Sequence, residues 1–312
     1  MSKNRVVQPN FKWSFLLPKF WGVWLVVALQ FTIAWLPYRM QLWLGKALGN
    51  LLYKLNLKRT RVALKNIQLC FPDMPEHEQQ ALVKKNMQHT ATALLEVGMG
   101  WWWPNWRVKK HIKVVGAEHL DKAQREGKGT LLLSLHNLSA EINCRGVGYT
   151  HPTVIFYRPY NNPLVEYFQY RGRMHANKFM LGKHDIKGLM RALRDGETCV
   201  YLPDQDYGEK RSVFVPFFAV ENTATTTATL ILARQKNTQT CFAVPTRNKD
   251  NSGYTIEISA PLDNFPSGDD EADLTRMNQL IEQAVLRDPE QYMWLHRRFK
   301  TRPNARDRSL YK

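Results

Sequence analysis

The chain is predicted to be an α/β protein with a mixed, mostly parallel sheet flanked by helices, and two patterns predict it. From about residue 110, short apolar runs alternate with segments of helical periodicity, the order expected when strands are joined by crossover helices. Three of those runs end directly in polar residues, at His136, Arg158 and Asp204, as strands do where such a sheet presents a site at one rim. The strands predicted are Thr130 to Leu135, Thr153 to Tyr157, Cys199 to Leu202, Thr240 to Pro245 and Tyr254 to Ser259. The helices are predicted near 138–148, 163–173, 185–195, 223–236 and 271–287.

The first hundred residues read differently. Phe20 to Leu36, FWGVWLVVALQFTIAWL, is 17 residues without a charge, the lower limit for a helix crossing a ~30 Å hydrocarbon core. It either spans or lies partly in the interface. Pro37-Tyr38-Arg39 stands where a signal peptide carries small residues, so residues 1–38 read as an uncleaved membrane anchor, followed by a main domain over 39–312. More Lys and Arg follow the apolar run than precede it, which places the main domain on the cytoplasmic side of such a membrane. Leu44, Leu48, Leu51, Leu52 and Leu55 recur at helical spacing among Lys46, Lys54 and Lys58, so the lead-in over 39–108 opens with a basic amphipathic helix. It packs either on the domain or in the membrane plane. A further helix over Glu76 to Met99 runs into Trp101-Trp102-Trp103. Three adjacent Trp cannot share one helix face, so part of this cluster is expected to contact lipid or a lipid substrate.

Lys and Arg outnumber Asp and Glu 44 to 27, a formal +17, which points to a polyanionic partner. Nine of the ten Trp fall in the first 106 residues, beside apolar runs. That is the placement of interfacial anchors rather than of base-stacking aromatics, so membrane lipid is favoured over nucleic acid. The four cysteines form no Cys-x-x-Cys pair and read as buried thiols in a reducing compartment. Cys144, close after His136, could be a nucleophile but reads better as a small buried side chain. No Gly-rich phosphate loop, nucleophile elbow or metal-ligand spacing occurs, and no cofactor is implied.

His136-x4-Glu141 is the sharpest local feature. On one continuous helix the pair would lie about 140° apart and never meet. If His136 ends a strand and Glu141 opens the next helix, the carboxylate can fold back onto one imidazole nitrogen and leave the other free as a base. The alternative, a surface His beside an unrelated Glu, stays open, because with 9 His and 27 acids roughly one such match is expected by chance. Arg158 suits an oxyanion or a substrate phosphate, or else buttresses the site. Asp204 and Asp206 alternate and point apart, which argues against a two-carboxylate metal site. The run His296 to Lys300 is either an anion-binding patch or a solvated tail.

Several stretches together carry a resemblance. NIQLCFPDM (66–74), EVGMGWWWP (96–104), the His136/Glu141 motif, YRPYNNPLVEY (157–167), LPDQDYG (202–208), VFVPFFAVE (213–221) and PEQYMWLHRRFKTRP (289–303) resemble the late acyltransferases of lipid A biosynthesis, most closely the lauroyl branch. The resemblance implies an enzyme at the cytoplasmic face of the bacterial inner membrane that moves a fatty acyl chain from acyl carrier protein to a hydroxyl on an acyl chain of a Kdo2-lipid IVA-type glycolipid. It further implies a glycerol-3-phosphate-acyltransferase-like fold. That superfamily's signature is His-x4-Asp, and here Glu141 replaces the Asp. The implied roles are His136 as general base, Glu141 as its orienter, and Arg158 and Asp204 as site residues, with Asp206 beside them. Two other readings remain: a lysophospholipid or glycerolipid acyltransferase, and a non-catalytic, membrane-attached polyanion binder.

Overall fold

The computed structural model describes residues 5–304 and 307–311. A helical lead-in comprises α1 (Trp21–Trp35), α2 (Tyr38–Lys54), α3 (Lys58–Cys70), α4 (Glu76–Trp102) and α5 (Asn105–His111). The alternating region follows as β1 (Ile112–Val115), α6 (Glu118–Arg125), β2 (Gly129–Leu133), α7 (Ala140–Thr150), β3 (Thr153–Tyr157), α8 (Pro163–Arg173), β4 (Asn177–Gly182), α9 (Ile186–Arg194) and β5 (Thr198–Tyr201). A hairpin of β6 (Ser212–Phe217) and β7 (Val220–Thr226) precedes α10 (Ala228–Ala233), β8 (Thr238–Arg247), β9 (Tyr254–Ile258) and α11 (Asp270–Arg287).

The main sheet has the order β1-β9-β8-β2-β5-β3-β4 and is parallel at every step but β8–β9. Its centre is β2, Gly-Thr-Leu-Leu-Leu, buried along its whole length, as a parallel strand covered on both faces must be. Leu131 and Leu133 face one layer with Leu189 and Leu193 of α9, Leu230 of α10 and Ile281 of α11. Leu132 faces the other with Leu120 of α6 and Val147 of α7. Each such side chain contributes about 1.5–3 kcal/mol over its exposed state, and together they hold the end of β2 fixed.

The lead-in is bound to the sheet through buried polar contacts. Arg247 of β8 donates to Glu96 of α4 at 2.8 and 2.6 Å, and the Tyr254 hydroxyl donates to the same carboxylate oxygen at 2.6 Å. α2 crosses α4 at very short range. A Cβ on Gly45 would stand 2.3 Å from Thr92 Oγ1, and one on Gly49 would stand 2.2 Å from Gln88 Cα. The orphan carbonyls at the end of α1, which Pro37 terminates, are met by side chains. Trp103 Nε1 and Arg107 Nη1 donate to Ala34 O at 2.8 and 3.1 Å, and Gln41 Nε2 donates to Leu36 O at 2.9 Å.

Several expectations change here. Residues 223–226 are strand, because the β-branched Thr223, Thr225 and Thr226 pair with β6, and only Ala228–Ala233 of the expected 223–236 helix forms. Strands β1, β4, β6 and β7 were not foreseen. Trp101 and Trp103 are buried against protein, so of the Trp triplet only Trp102 is partly open. α1 has 15 residues, about 22 Å at 1.5 Å per residue, and among the described residues no helix is long and apolar enough to cross a membrane. One side of the α1 region packs inward through Phe15, Phe20 and Ala34. Its other side leaves Trp13 (82%), Trp21 (63%), Leu25 (71%) and Leu29 (57%) open to solvent.

Candidate active site

β2 and β5 are parallel neighbours in the register Leu133↔Tyr201. Three residues beyond that pair on each strand stand His136 and Asp204, so equal extension of the two strands brings these side chains together. Asp204 Oδ2 accepts the His136 backbone N–H at 2.9 Å, and its Oδ1 lies 2.6 Å from His136 Nδ1. The carboxylate thus fixes both the main chain and the ring. It is almost fully enclosed, while the imidazole is 23% open. Burial pushes the Asp204 carboxyl up, but the charge and hydrogen bonds of His136, together with the Arg298 guanidinium, hold it below the ordinary carboxylate value. An ionised Asp204 makes Nδ1 the protonated nitrogen. Nε2, with no protein hydrogen bond among the described residues, is then the basic one.

The turn after His136 is built from its neighbours. Asn137 Nδ2 donates to Pro245 O at 2.9 Å, and Asn137 Oδ1 accepts from Ser139 N and Oγ at 2.9 and 2.7 Å. The 291–293 segment closes on the other side, with Leu138 N donating to Gln291 O and Met293 N to His136 O. That segment is itself clamped by the lead-in. Asn66 Nδ2 donates to Trp294 O and His296 O, each at 2.6 Å, and Asn86 Nδ2 donates to Tyr292 O at 2.8 Å.

Glu141 opens α7 as expected but does not orient His136. Its carboxylate accepts three charged hydrogen bonds from Arg173 (Nε at 3.0 and 3.2 Å, Nη2 at 2.8 Å) and one from Trp101 Nε1 at 2.9 Å. The first turn of α7 directs it toward α4 and α8, where Gly100 leaves room: a Cβ there would lie 3.3 Å from Glu141 Cγ. The carboxylate on the imidazole is therefore Asp204's, and Glu141 is a wall residue of the same cavity. That cavity, of about 260 Å³, is lined by His136, Glu141, Cys144, Arg173, Tyr201 and Tyr207, among others. Burial, and then the Glu141 charge, push the Cys144 thiol up to about 11, which leaves it protonated at neutral pH and a poor nucleophile.

Arg158 lies outside this cavity. It is exposed after β3 and lines an open polar cleft with Tyr160, Asn161, Gln169 and Arg173. Arg173 alone belongs to both spaces, and it also borders an apolar groove of about 370 Å³ between α1, α4 and α8. Asp206 turns away from His136. Its carboxylate accepts Thr301 N at 2.7 Å and Thr301 Oγ1 at 2.8 Å, while its own N–H donates to His296 Nε2 at 3.1 Å. The run His296 to Lys300 is no solvated tail either, since Arg298 is 3% exposed. Arg173 and Trp101 were missed as site residues, and Arg298 was named only within the run His296 to Lys300. Nothing in a lone helical Arg or a Trp triplet marks them, because only packing selects which of 44 basic side chains turns inward.

The arrangement is a histidine with an anionic orienter, opening on a cavity with a fixed cation and joined to an apolar groove. It can take a proton from a hydroxyl in the presence of an amphiphile. The family model for bacterial lipid A biosynthesis acyltransferases matches residues 8–301. A lipid A biosynthesis acyltransferase of Haemophilus influenzae is 44% identical, over 97% of this chain and 98% of the relative. The lipid A biosynthesis lauroyltransferase of Escherichia coli is 41% identical over 95% and 97%, and the palmitoleoyltransferase of the same organism 39% identical over 97% and 99%.

Proposed function

The chain belongs to the bacterial lipid A biosynthesis acyltransferases, and we propose that His136 and Asp204 carry its acyl transfer, from acyl carrier protein to a hydroxyl on an acyl chain of a Kdo2-lipid IVA-type acceptor. His136 Nε2 removes the acceptor's hydroxyl proton as that oxygen attacks the thioester carbonyl. Asp204, on Nδ1, holds the tautomer and balances the imidazolium. The tetrahedral intermediate collapses with loss of the C–S bond, and the imidazolium returns the proton to the departing thiolate. One C–O bond replaces one C–S bond, and no acyl-enzyme is needed. The observation that carries this reading is the 2.6 Å His136–Asp204 contact on the wall of the cavity.

The donor chain we assign is lauroyl. The lauroyl- and palmitoleoyltransferase relatives differ by only two points of identity, 41% against 39%, so competition between the two acyl carrier proteins decides it. We place the enzyme at the cytoplasmic face of the inner membrane. In support, the apolar outer side of α1 continues through exposed Trp43 and Leu51 of α2, with Lys19, Arg39 and Lys46 beside it. That is the composition of a helix pair seated in an anionic interface rather than spanning it. The groove between α1, α4 and α8 would then admit acyl chains laterally. The test is turnover of acyl carrier protein thioester with the glycolipid acceptor. His136→Ala should lose about 10²–10⁴ in rate, and a strain lacking the protein should lack one secondary acyl chain in the mass spectrum of its lipid A. Near wild-type turnover by His136→Ala, at equal protein level, would remove the base from the mechanism. An unchanged lipid A with altered phospholipids would favour a glycerolipid acceptor.

A further inference from the structure

His136 and Asp204 also line a second, much smaller cavity. The 292–299 segment forms much of the rest, with Tyr292, Met293, His296 and Arg298. Asp204 is the one carboxylate among the residues that line it. Arg298 is 3% exposed and, among the described residues, makes no ion pair. Its Nη1 donates to Ala224 O at 2.6 Å, its Nη2 lies 3.2 Å from Thr225 Oγ1, and the guanidinium stands 5.3 Å over the Phe217 ring. Nε is buried without a partner. Neutral acceptors and a ring face offset only part of the desolvation cost of a buried cation, and a nearby anion offsets more.

We propose that Arg298 is the counter-charge of Asp204 and, through it, a positioning residue for His136. The C-terminal segment is then part of the catalytic apparatus rather than a basic tail, an inference that rests on the reading of His136 as the base. Asp204 must stay anionic while the imidazole is neutral, before any proton is taken, and at that moment His136 gives it no full positive charge. Arg298 supplies one that does not come and go with turnover. The direction fits: its guanidinium lowers the Asp204 carboxyl, the His296 imidazole and the Tyr292 hydroxyl alike, each against or alongside the larger effect of burial. The other groups facing Asp204 do not replace it. Tyr292, Tyr201 and Tyr207 are phenols held neutral by burial. His296 is driven toward its neutral form and spends Nε2 on Asp206 N, and Arg173 is committed to Glu141. The clamps of Asn66 and Asn86 on this segment set where the cation sits.

The experiment is a double-mutant cycle of Arg298→Gln and Asp204→Asn on the full-length enzyme, with kcat, KM and the pH–rate profile measured and thermal unfolding as the folding control. Arg298→Gln should lower kcat about 10–100-fold with KM for both substrates within about twofold, and should raise the acid limb of the profile, because Asp204 then protonates at higher pH. In the Asp204→Asn background the same change should cost less than about twofold. Equal losses in both backgrounds, or an unmoved acid limb, would make Arg298 a packing residue and overturn the proposal. If Arg298→Gln does not fold, Arg298→Lys is read instead. With the charge kept, kcat within about threefold and an unmoved profile support the proposal, and a loss of tenfold or more sinks it. His136→Ala distinguishes this failure from that of the mechanism itself: if it stays active the base assignment fails, whatever Arg298 does.

Discussion

At the residue scale, Asp204 and Glu141 are two carboxylates within one site whose loss should read differently. Asp204→Asn keeps the shape, but the amide cannot balance an imidazolium and can present its NH₂ to Nδ1, which favours the wrong tautomer. A fall in kcat of about 10²–10⁴ is expected, with KM little changed. Glu141→Gln leaves the imidazole contact intact and instead frees Arg173, whose guanidinium borders the catalytic cavity, the polar cleft and the apolar groove. KM for the acceptor should rise, and kcat should fall by about tenfold, the size of one charge-assisted contact. Steady-state kinetics of the two variants check this. A Glu141→Gln enzyme that loses kcat as deeply as Asp204→Asn, at unchanged KM, would return the orienting role to Glu141.

At the scale of elements, the crossing of α2 over α4 decides whether the lead-in can hold the C-terminal segment under the site. Gly49→Ala places a methyl 2.2 Å from Gln88 Cα and 2.6 Å from Met87 O, both backbone atoms that cannot swing aside. The helices must part, at a cost on the order of 2–4 kcal/mol, read as a drop in thermal midpoint. Gly22→Ala on α1 is the control, since nothing lies within 4 Å of its added methyl. There the change should be neutral or stabilising by up to about 1 kcal/mol through helix propensity. Equal midpoints for the two variants would show that the crossing is looser than described.

At the scale of the whole molecule, the buried links between lead-in and sheet make stability depend on pH. Burial, then the charges of Arg247 and Lys85, drive the His89 imidazole down to about 3, so the folded protein leaves it neutral while the unfolded chain protonates it near 6.5. Below 6.5 the unfolded state therefore binds the extra proton, and stability falls with pH until about 3. The loss is roughly 1.4 kcal/mol per pH unit, or about 2 kcal/mol by pH 5. Denaturant midpoints at pH 7 and pH 5 should separate more for the native protein than for His89→Gln, and parallel shifts in both would discard His89 as the source. Removing residues 1–38 should also be felt globally. Phe15, Phe20 and Ala34 are buried, and the α1 carbonyls anchor Trp103, Gln41 and Arg107. Aggregation is the expected outcome on gel filtration, and a soluble, active truncated domain would show that the segment is only an appendage.

From the sequence by itself came the α/β class, the central strands, the helices that follow them, the basic apolar lead-in and the residues at the strand ends, since each is written in local periodicity or composition. The proposed base, His136, was legible for the same reason. Its partner was not. His136 and Glu141 are close in sequence, yet the first turn of α7 sends the Glu to Arg173, while Asp204, 68 residues away, arrives through the parallel register of β2 and β5. The same holds for Arg298, read as basic in the sequence and as buried only in the fold, and for Trp101 and Trp103, which composition assigned to lipid and packing assigned to Glu141 and to Ala34. Strand and helix patterns are local energies. Which charged side chain faces which is settled only when the sheet closes, because a buried ion pair is chosen by the geometry that removes both partners from water.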